Sequence, residues 1–312
     1  MSKASILSNI SSFLASPTHF MTQEAKREFM NQLFFAEQQG FLFGEMPTYR
    51  DETKKELNQI VAETRVPLTD DYNSDELDQP SIAYYRIKGT IMAESSWWFS
   101  TKQFRKDMHE AEENPMIMAH FVHVNSGGGD AWYLDVAAAT MRDLNKPVVC
   151  YIERRAASAG LYLIIYGDVI YAATPNETIG SIGTMVAFLD IIPYYEKMGA
   201  RWVEEYAHKS KLKNKKFNDL ADGKPEKYIT DELDPLQKQF EAAVRAARPK
   251  AGALPEKHDL FAGETYATEA SIELGLIDKM GLMEEALLDC LERGTQYMAK
   301  IQKRNTAIQL LN

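Results

Sequence analysis

The spacing of apolar residues divides the chain into a helical beginning and a longer region in which strands and helices alternate. Apolar residues recur at helical spacing over 22–39, where Thr22 can cap the first turn, and a second helix is predicted over 50–64. The polar, acidic stretch 70–76 predicts a linker. Residues 1–80 are therefore interpreted as a helical N-terminal arm with an acidic linker, which either packs on its own domain or serves oligomerisation.

From Ser81 onward, short apolar runs alternate with amphipathic segments. The nearly all-apolar run 116–125 is typical of a buried strand, and the segments between such runs have helical spacing. Strands are predicted over 82–91, 116–125, 148–152, 169–172, 185–191 and 202–206, and helices over 101–114, 131–145, 158–166, 194–198 and 230–248. This alternation predicts an α/β domain with largely parallel strands. Residues 297–312 are expected to form either a short helix or a loose tail.

Composition and charge narrow the class of protein. Hydrophobic residues make up 45% of the 312 residues and charged residues 26%, as in ordinary globular proteins. The net charge of −10 argues against a nucleic-acid partner, because general nucleic-acid binders need a basic surface. There is no run of about 18 apolar residues, and residues 1–16 lack the continuous apolar core of a secretory signal. We therefore expect no membrane span, and a protein that stays in the cytoplasm or is packaged from it into a particle.

The cysteines and histidines give no sign of a disulfide or a metal centre. Cys150 lies in an apolar strand pattern and Cys290 in a helical pattern, so both are predicted to be buried thiols. Neither a Cys-x-x-Cys motif nor a cluster of His and Cys is present. The sequence therefore predicts no metal and no cofactor.

Two short segments rich in small residues carry the candidate chemistry. Segment 125–130 places three glycines directly after a predicted strand, which frees backbone N–H groups to point into a pocket. In segment 156–160, Ser158 is flanked only by Ala and Gly, between a strand and an apolar helix, so its hydroxyl is sterically uncovered. Together they offer a nucleophile and donors for the oxyanion that forms when it attacks a carbonyl. The pair is a moderately strong sign of acyl transfer.

A serine nucleophile needs a base, and the chain offers histidine or lysine. Of the six histidines only His123 lies next to the glycine run, and its position in a strand favours a buried, hydrogen-bonded histidine. Residues 209–216 hold five lysines in eight positions, which on composition alone are typical of a solvated loop. One of them can serve as the base if it turns inward, since burial and nearby positive charge lower the pKa of an amine. Ser181, between two close glycines, is either a turn residue or a hydrogen-bond partner of such a lysine.

The order of these motifs resembles the signal peptide peptidase A family of serine peptidases, over roughly residues 81–290. The motifs are 125–129, 157–160, 171–172, 180–183 and 275–278. The resemblance implies an α/β ClpP/crotonase-like spiral of ββα units in 81–290, with 291–312 as a C-terminal tail. Residues 1–80 lie outside it, as the N-terminal helical extension.

The resemblance also implies roles for individual residues, in a Ser-Lys dyad rather than a triad. These are Ser158 as nucleophile, Lys211 as base with Lys209 and Lys213 as alternatives, Gly128 and Ala159 as oxyanion-hole donors, and Ser181 as the residue that orients the lysine. Gly127 stands where the family has proline, and His208 where the phage-type members have glycine. The second difference leaves the position of the base open among the three lysines.

The function that this resemblance implies is that of a serine endopeptidase, which acts on peptides or unfolded proteins and assembles into a homo-oligomer as the family does. Soluble relatives mature the proheads of tailed phages, and membrane-bound relatives degrade signal peptides. The lack of a membrane anchor favours phage or prophage head maturation, with cytoplasmic peptide degradation next. Two alternatives keep the fold: a crotonase-type enzyme acting on acyl-CoA, and a catalytically inactive assembly protein.

Overall fold

A large parallel sheet and a small mixed sheet organise the chain in its computed structural model, which describes residues 18–21, 48–73, 77–95, 98–188, 190 and 192–311. The strands are β1 (Thr18–Met21), β2 (Leu68–Thr69), β3 (Ser81–Lys88), β4 (Ile91–Met92), β5 (Phe99–Ser100), β6 (Ile117–Ser126), β7 (Gly128–Asp130), β8 (Val148–Ala157), β9 (Val169–Ala172), β10 (Thr178–Gly180), β11 (Met185–Val186), β12 (Thr265–Tyr266) and β13 (Lys279–Met280). The α-helices are α1 (Tyr49–Thr64), α2 (Thr101–Glu113), α3 (Leu134–Arg142), α4 (Ala159–Ile164), α5 (Ile192–Lys197), α6 (Lys215–Ala221), α7 (Glu226–Tyr228), α8 (Asp234–Ala247), α9 (Pro249–Gly252), α10 (Thr268–Leu274) and α11 (Met283–Leu311). A π-helical turn (Ile229–Leu233) precedes α8, and a 3₁₀ turn (Asp259–Ala262) precedes β12.

The large sheet is parallel except at one edge. Its strand order is β12-β10-β8-β6-β3-β2, with β9 beside β8 and β13 beside β9. Among the described strands of this sheet, only β12 runs antiparallel to its neighbour. Helices cover both faces of such sheets, so the central strands are apolar on both sides. That is why the run 117–126 is almost entirely buried. The predicted α/β class with a largely parallel sheet is confirmed.

The core has one part on each face of this sheet, and alternate residues of β6 point to one or the other. Val122 and Val124 pack with α2, α3, α4 and α8, whereas Ala119 and Phe121 pack with α1 and α11. Cys150 and Cys290 are buried free thiols, as predicted, and burial raises the pKa of both. The large sheet and the helices on its two faces form three layers. The layer in which a side chain lies decides whether it can reach the end of the sheet that carries the glycine-rich segment.

The small sheet has the order β11-β1-β7-β4-β5 and joins the glycine-rich segment to the N-terminal region. Strand β1 runs antiparallel to both of its neighbours, β7 and β11. Strand β4 runs parallel to β7, with Ile91 opposite Gly129. This contact leaves no room for a side chain at Gly129, because a Cβ there would lie 1.9 Å from the Ile91 carbonyl oxygen.

Most predicted elements are present, with shifted ends. The predicted strand 202–206 is wrong, because residues 201–207 form neither strand nor helix and are exposed. Among the described residues of the strand predicted over 185–191, only the two residues of β11 form a strand. Residues 297–311 belong to the 29-residue helix α11, which decides the question of helix or tail in that part of the chain.

The N-terminal region is described only in part. The predicted helix 50–64 is confirmed as α1, which begins after a capping box made by Thr48 and Asp51. The predicted helix 22–39 lies outside the described residues, as do residues 74–76 of the predicted linker. No helix in the described part of the chain is long and apolar enough to cross a lipid bilayer.

Candidate functional site

Ser158 lies on a strained turn between β8 and α4, at the carboxyl end of the large sheet. Its φ of 54° is in the left-handed region that side-chain-bearing residues rarely adopt. The Ser158 N–H donates to the Gly180 carbonyl at 2.8 Å, and the Ser158 carbonyl accepts from the Tyr162 N–H at 2.9 Å, the first turn of α4. Strain of this kind is held in place where a side chain must point in one direction. The same strand-turn-helix arrangement presents nucleophilic serines in hydrolases.

A bulge in β8 brings Ser158 beside the glycine-rich segment. Val124 of β6 is opposite Ile152, but Ser126, two residues later, is opposite Ala156, four residues later on β8. The extra residues bend β8, and such bulges are common beside active sites because they re-aim side chains. Gly160 packs against Ser126 so closely that a Cβ would lie 2.9 Å from the Ser126 carbonyl oxygen. The two motifs that the sequence singled out therefore meet.

The proposed oxyanion donors, Gly128 and Ala159, lie at the two sides of this meeting point. Ala159 is the first residue of α4, so its N–H has no partner within the helix. Gly128 has a φ of 103°, and its N–H donates to the Ser126 hydroxyl at 3.1 Å. That hydroxyl in turn donates to the Gly89 carbonyl at 2.6 Å. In this arrangement the Ser126 side chain occupies the donor that an oxyanion would use.

The turn after β10 closes the other side of Ser158. Ser181 has a φ of 54°, and its N–H donates to the Glu264 carbonyl at 2.8 Å. Two residues later, the Gly183 carbonyl accepts a weak hydrogen bond of 3.5 Å from Ser158 Oγ, which is the one hydrogen bond of that hydroxyl among the described residues. The side chain of Ser158 is fully buried, so the prediction that its hydroxyl is uncovered is wrong for this structure. The backbone here thus positions the hydroxyl and leaves it almost free of partners.

Within the described part of a single chain, the three candidate lysines make no contact with Ser158. Lys209, Lys211 and Lys213 lie in turns between α5 and α6 and are all exposed. No hydrogen bond joins any of them to Ser158 or Ser181 in the part of the chain that is described. The proposed nucleophile, the proposed oxyanion donors and Ser181 therefore lie together, and no contact joins the proposed base to them in the described part of the chain.

His123 belongs to a different cluster. It lies on the face of β6 that holds Phe121, opposite to the face covered by α4, and its ring contacts Tyr84, Glu56 and Glu153. Burial lowers the pKa of His123, against the effect of its hydrogen bond to Glu153. The expectation of a buried, hydrogen-bonded strand histidine is confirmed.

Glu56, His123 and Glu153 are close enough together for their ligand atoms to hold a cation. The guanidinium group of Arg86 already supplies a positive charge to this cluster. Arg86 Nε lies 2.9 Å from Glu56 Oε1, and Arg86 Nη2 lies 3.5 Å from Glu153 Oε2. The cluster is therefore explained as an ion-pair network under α1, and the residues present do not fit a metal ion.

Replacing Arg86 with methionine is expected to lower the free energy of unfolding by about 2 kcal/mol, because the partly buried Glu56 and the half-exposed Glu153 then lose a buried cationic partner. Lys88→Met is the matched control on the same strand, since the Lys88 side chain is half exposed and 4.0 Å from Glu56. We expect the control to cost less than about 1 kcal/mol. Urea unfolding of both variants measures the difference, and equal losses would contradict a structural role for the network.

Sequence reasoning missed two groups at this site, the Ser126 hydroxyl and the Gly183 carbonyl. Ser126 stands within the glycine-rich motif, and a serine in a tight turn commonly bonds nearby backbone. Its second bond, to Gly89, joins residues that are far apart in the chain, and no local pattern reveals it. No sequence pattern identifies the carbonyl of Gly183 as part of the site.

Comparison with known proteins finds similarity to a peptidase family over part of the chain. Residues 140–294 match the model of a family described as Peptidase family S49. The putative signal peptide peptidase SppA of Enterococcus faecium is 25% identical over 195 residues, which cover 61% of this chain and 55% of that protein. The Na(+)/H(+) antiporter NhaA of Brucella abortus is 30% identical over 173 residues, which cover 53% of this chain and 23% of that protein. The chain thus spans about half the length of the first relative and a quarter of the second.

Among solved structures, the chain is similar to the 1510-N membrane protease of Pyrococcus horikoshii, which is specific for a stomatin homolog. The sequence identity is 16%, the match covers 67% of this chain and 77% of that chain, and the TM-score is 0.40.

Proposed function

We propose that this chain, whose residues 140–294 match the model of peptidase family S49, is a serine endopeptidase with Ser158 as nucleophile and Lys211 as base. The observation that carries the proposal is the fully buried Ser158 on its strained turn, held beside a glycine-rich segment and the start of a helix. Gly128 and Ala159 are the proposed oxyanion-hole donors, and Ser181 the residue that orients the lysine.

In the proposed reaction, the neutral Lys211 amine takes the proton of Ser158 Oγ as that oxygen attacks a peptide carbonyl carbon. The oxyanion accepts hydrogen bonds from the Ala159 N–H and from the Gly128 N–H, which exchanges its bond to the Ser126 hydroxyl for one to the substrate. The protonated lysine gives its proton to the leaving amine. Water then hydrolyses the acyl-enzyme and regenerates Ser158.

The segment that carries the lysines supports assembly into a homo-oligomer. Between α5 and α6, Trp202 is 63% exposed, Val203 is 65% exposed and Leu212, next to Lys211, is 76% exposed. Trp202 and Val203 are neighbours in the chain, and large apolar residues that are exposed side by side mark interaction surfaces. We propose that association between copies covers this surface and carries Lys211 to a Ser158, either its own or that of the partner.

The proposed substrates are peptides or unfolded proteins. The proposed setting is the maturation of a phage or prophage head, with cytoplasmic peptide degradation as the alternative.

A lysine scan tests the dyad. With casein or a fluorogenic peptide as substrate, Lys211→Met is expected to lower kcat/KM by about 100-fold or more, the contribution of a positioned general base. Lys209→Met and Lys213→Met remove the same charge from the same turns and serve as matched controls with nearly unchanged activity. Loss of activity in one control instead of Lys211→Met would move the base to that residue, and full activity in all three would refute the Ser-Lys dyad.

Mixing two inactive variants shows whether the lysine base comes from the same chain as Ser158 or from a partner. If the base comes from a partner, Ser158→Ala mixed with Lys211→Met regains activity, because one mixed interface contains both intact groups. If the base comes from the same chain, the mixture stays inactive while Lys211→Met alone remains folded.

A further inference from the structure

Strand β1 fills a slot between the two backbone segments that flank Ser158. On one side it pairs with β7, which begins at Gly128, and on the other side with β11, which follows the turn through Gly183. Both pairings are antiparallel, so β1 takes hydrogen bonds from two edges at once. Without β1, each of those edges would present unpaired N–H and C=O groups, which is how proteins bind extended peptides.

The direction of β1 matches that of a peptide about to be cleaved. Along β7 the pairs are His19 with Asp130, Phe20 with Gly129, and Met21 with Gly128, so β1 runs toward the proposed oxyanion donor. The Met21 end of the strand is therefore the end nearest to that donor.

The pairing of β1 with β11 also places Met21 near Ser158. His19 is opposite Met185 on β11, and continuing this antiparallel register by two residues places Met21 at the level of Gly183. The Gly183 carbonyl oxygen is 3.5 Å from Ser158 Oγ. Both neighbours of β1 thus converge on the nucleophile at Met21, although they belong to different parts of the chain.

We propose that Thr18–Met21 is an internal substrate of Ser158, and that hydrolysis after Met21 releases residues 1–21 and opens the slot for other peptides. This inference rests on the proposed peptidase function. Ser158 Oγ attacks the Met21 carbonyl carbon, the bond to the Thr22 nitrogen breaks, and that nitrogen leaves as a protonated amine. Water then hydrolyses the Met21 ester, which gives a new carboxylate and restores the serine. Before cleavage the strand competes with any other peptide, at the high effective concentration that tethering gives.

Intact-mass spectrometry of the full chain, carrying a tag at its C-terminus, tests the inference directly. The expected product begins at Thr22 and is absent from Ser158→Ala. At concentrations at which the chain is fully assembled, it forms at a first-order rate that does not change with protein concentration. Phe20→Pro removes a backbone N–H from the middle of β1, and Phe20→Ala is its matched control because it keeps that N–H. We expect self-cleavage at least 10-fold slower with proline than with alanine, because the strand must pair on both sides and proline disrupts that pairing.

Casein hydrolysis by the same preparations separates failure of this inference from failure of the peptidase proposal. Ser158-dependent casein hydrolysis by a chain that keeps residues 1–21 overturns the inference alone, and so do equal rates of self-cleavage in the two Phe20 variants. A chain that cleaves neither casein nor itself overturns both proposals. A product that begins at Thr22 in wild type and not in Ser158→Ala supports the inference whether or not casein is a substrate.

Discussion

Replacement of Ser158 with alanine is expected to lower kcat/KM for peptide hydrolysis by about 10⁴-fold or more, because the attacking oxygen is removed and no covalent intermediate can form. The proposed oxyanion donors, Gly128 and Ala159, stay in place. Any remaining hydrolysis therefore comes from binding and from polarisation of the substrate carbonyl alone. The measurement is the initial rate with a fluorogenic peptide, at equal concentrations of folded wild type and variant.

The same substitution should change stability little. Ser158 Oγ has a single long hydrogen bond, 3.5 Å to the Gly183 carbonyl, so its loss is expected to cost less than about 1 kcal/mol. Alanine has the same Cβ as serine, so the strain at a φ of 54° is unchanged. A thermal melt that matches the wild type shows that lost activity is not lost folding.

Ser271→Ala is a matched control for this experiment. Ser271 is also fully buried, begins no new element, and its hydroxyl donates a comparably weak bond of 3.4 Å to the Tyr266 carbonyl. It lies in α10, outside the proposed catalytic group, and full activity is expected. A Ser158→Ala protein as active as Ser271→Ala would remove the nucleophile from the mechanism.

The spacing of apolar residues predicted the elements on either side of Ser158, because those elements are either buried on both faces or amphipathic. The apolar run that became β6, the strand before Ser158 and the helix after it all follow from local patterns that burial enforces. The family resemblance, carried by motifs in a fixed order, is confirmed by the match to peptidase family S49. The assignments of individual site residues stay predictions.

The predictions that failed or stayed open concern residues whose structure depends on distant parts of the chain. A strand was predicted over residues 202–206, but a strand needs a paired neighbour, and these exposed residues have no strand pairing in the described chain. The choice among the three lysines depends on which of them comes close to Ser158 in the folded protein, and spacing along the chain does not give that distance. Likewise, four residues such as Thr18–Met21 are too few to predict a strand, and their pairing is set by the two edges that receive them.

Gly129→Val is expected to lower the free energy of unfolding by about 4 kcal/mol, a loss at the upper end for single substitutions. A Cβ at Gly129 would lie 1.9 Å from the Ile91 carbonyl oxygen and 2.7 Å from the Ile91 nitrogen. Both are backbone atoms of β4, so no side-chain rotation relieves the clash, and β4 and β7 must separate. Chemical denaturation of wild type and variant measures the loss.

Gly183→Ala provides the contrast, because it is a glycine of the same site with room for a methyl group. Its Cβ would be 3.4 Å from the Gly263 Cα, an ordinary contact, and we expect a change of less than about 1 kcal/mol. Separation of β7 from β4 also displaces Gly128 and the edge that pairs with β1, so Gly129→Val should lose activity even where it remains folded. A Gly129→Val protein as stable as Gly183→Ala would mean that β4 and β7 do not pack as described, and that the geometry of the proposed oxyanion hole is different.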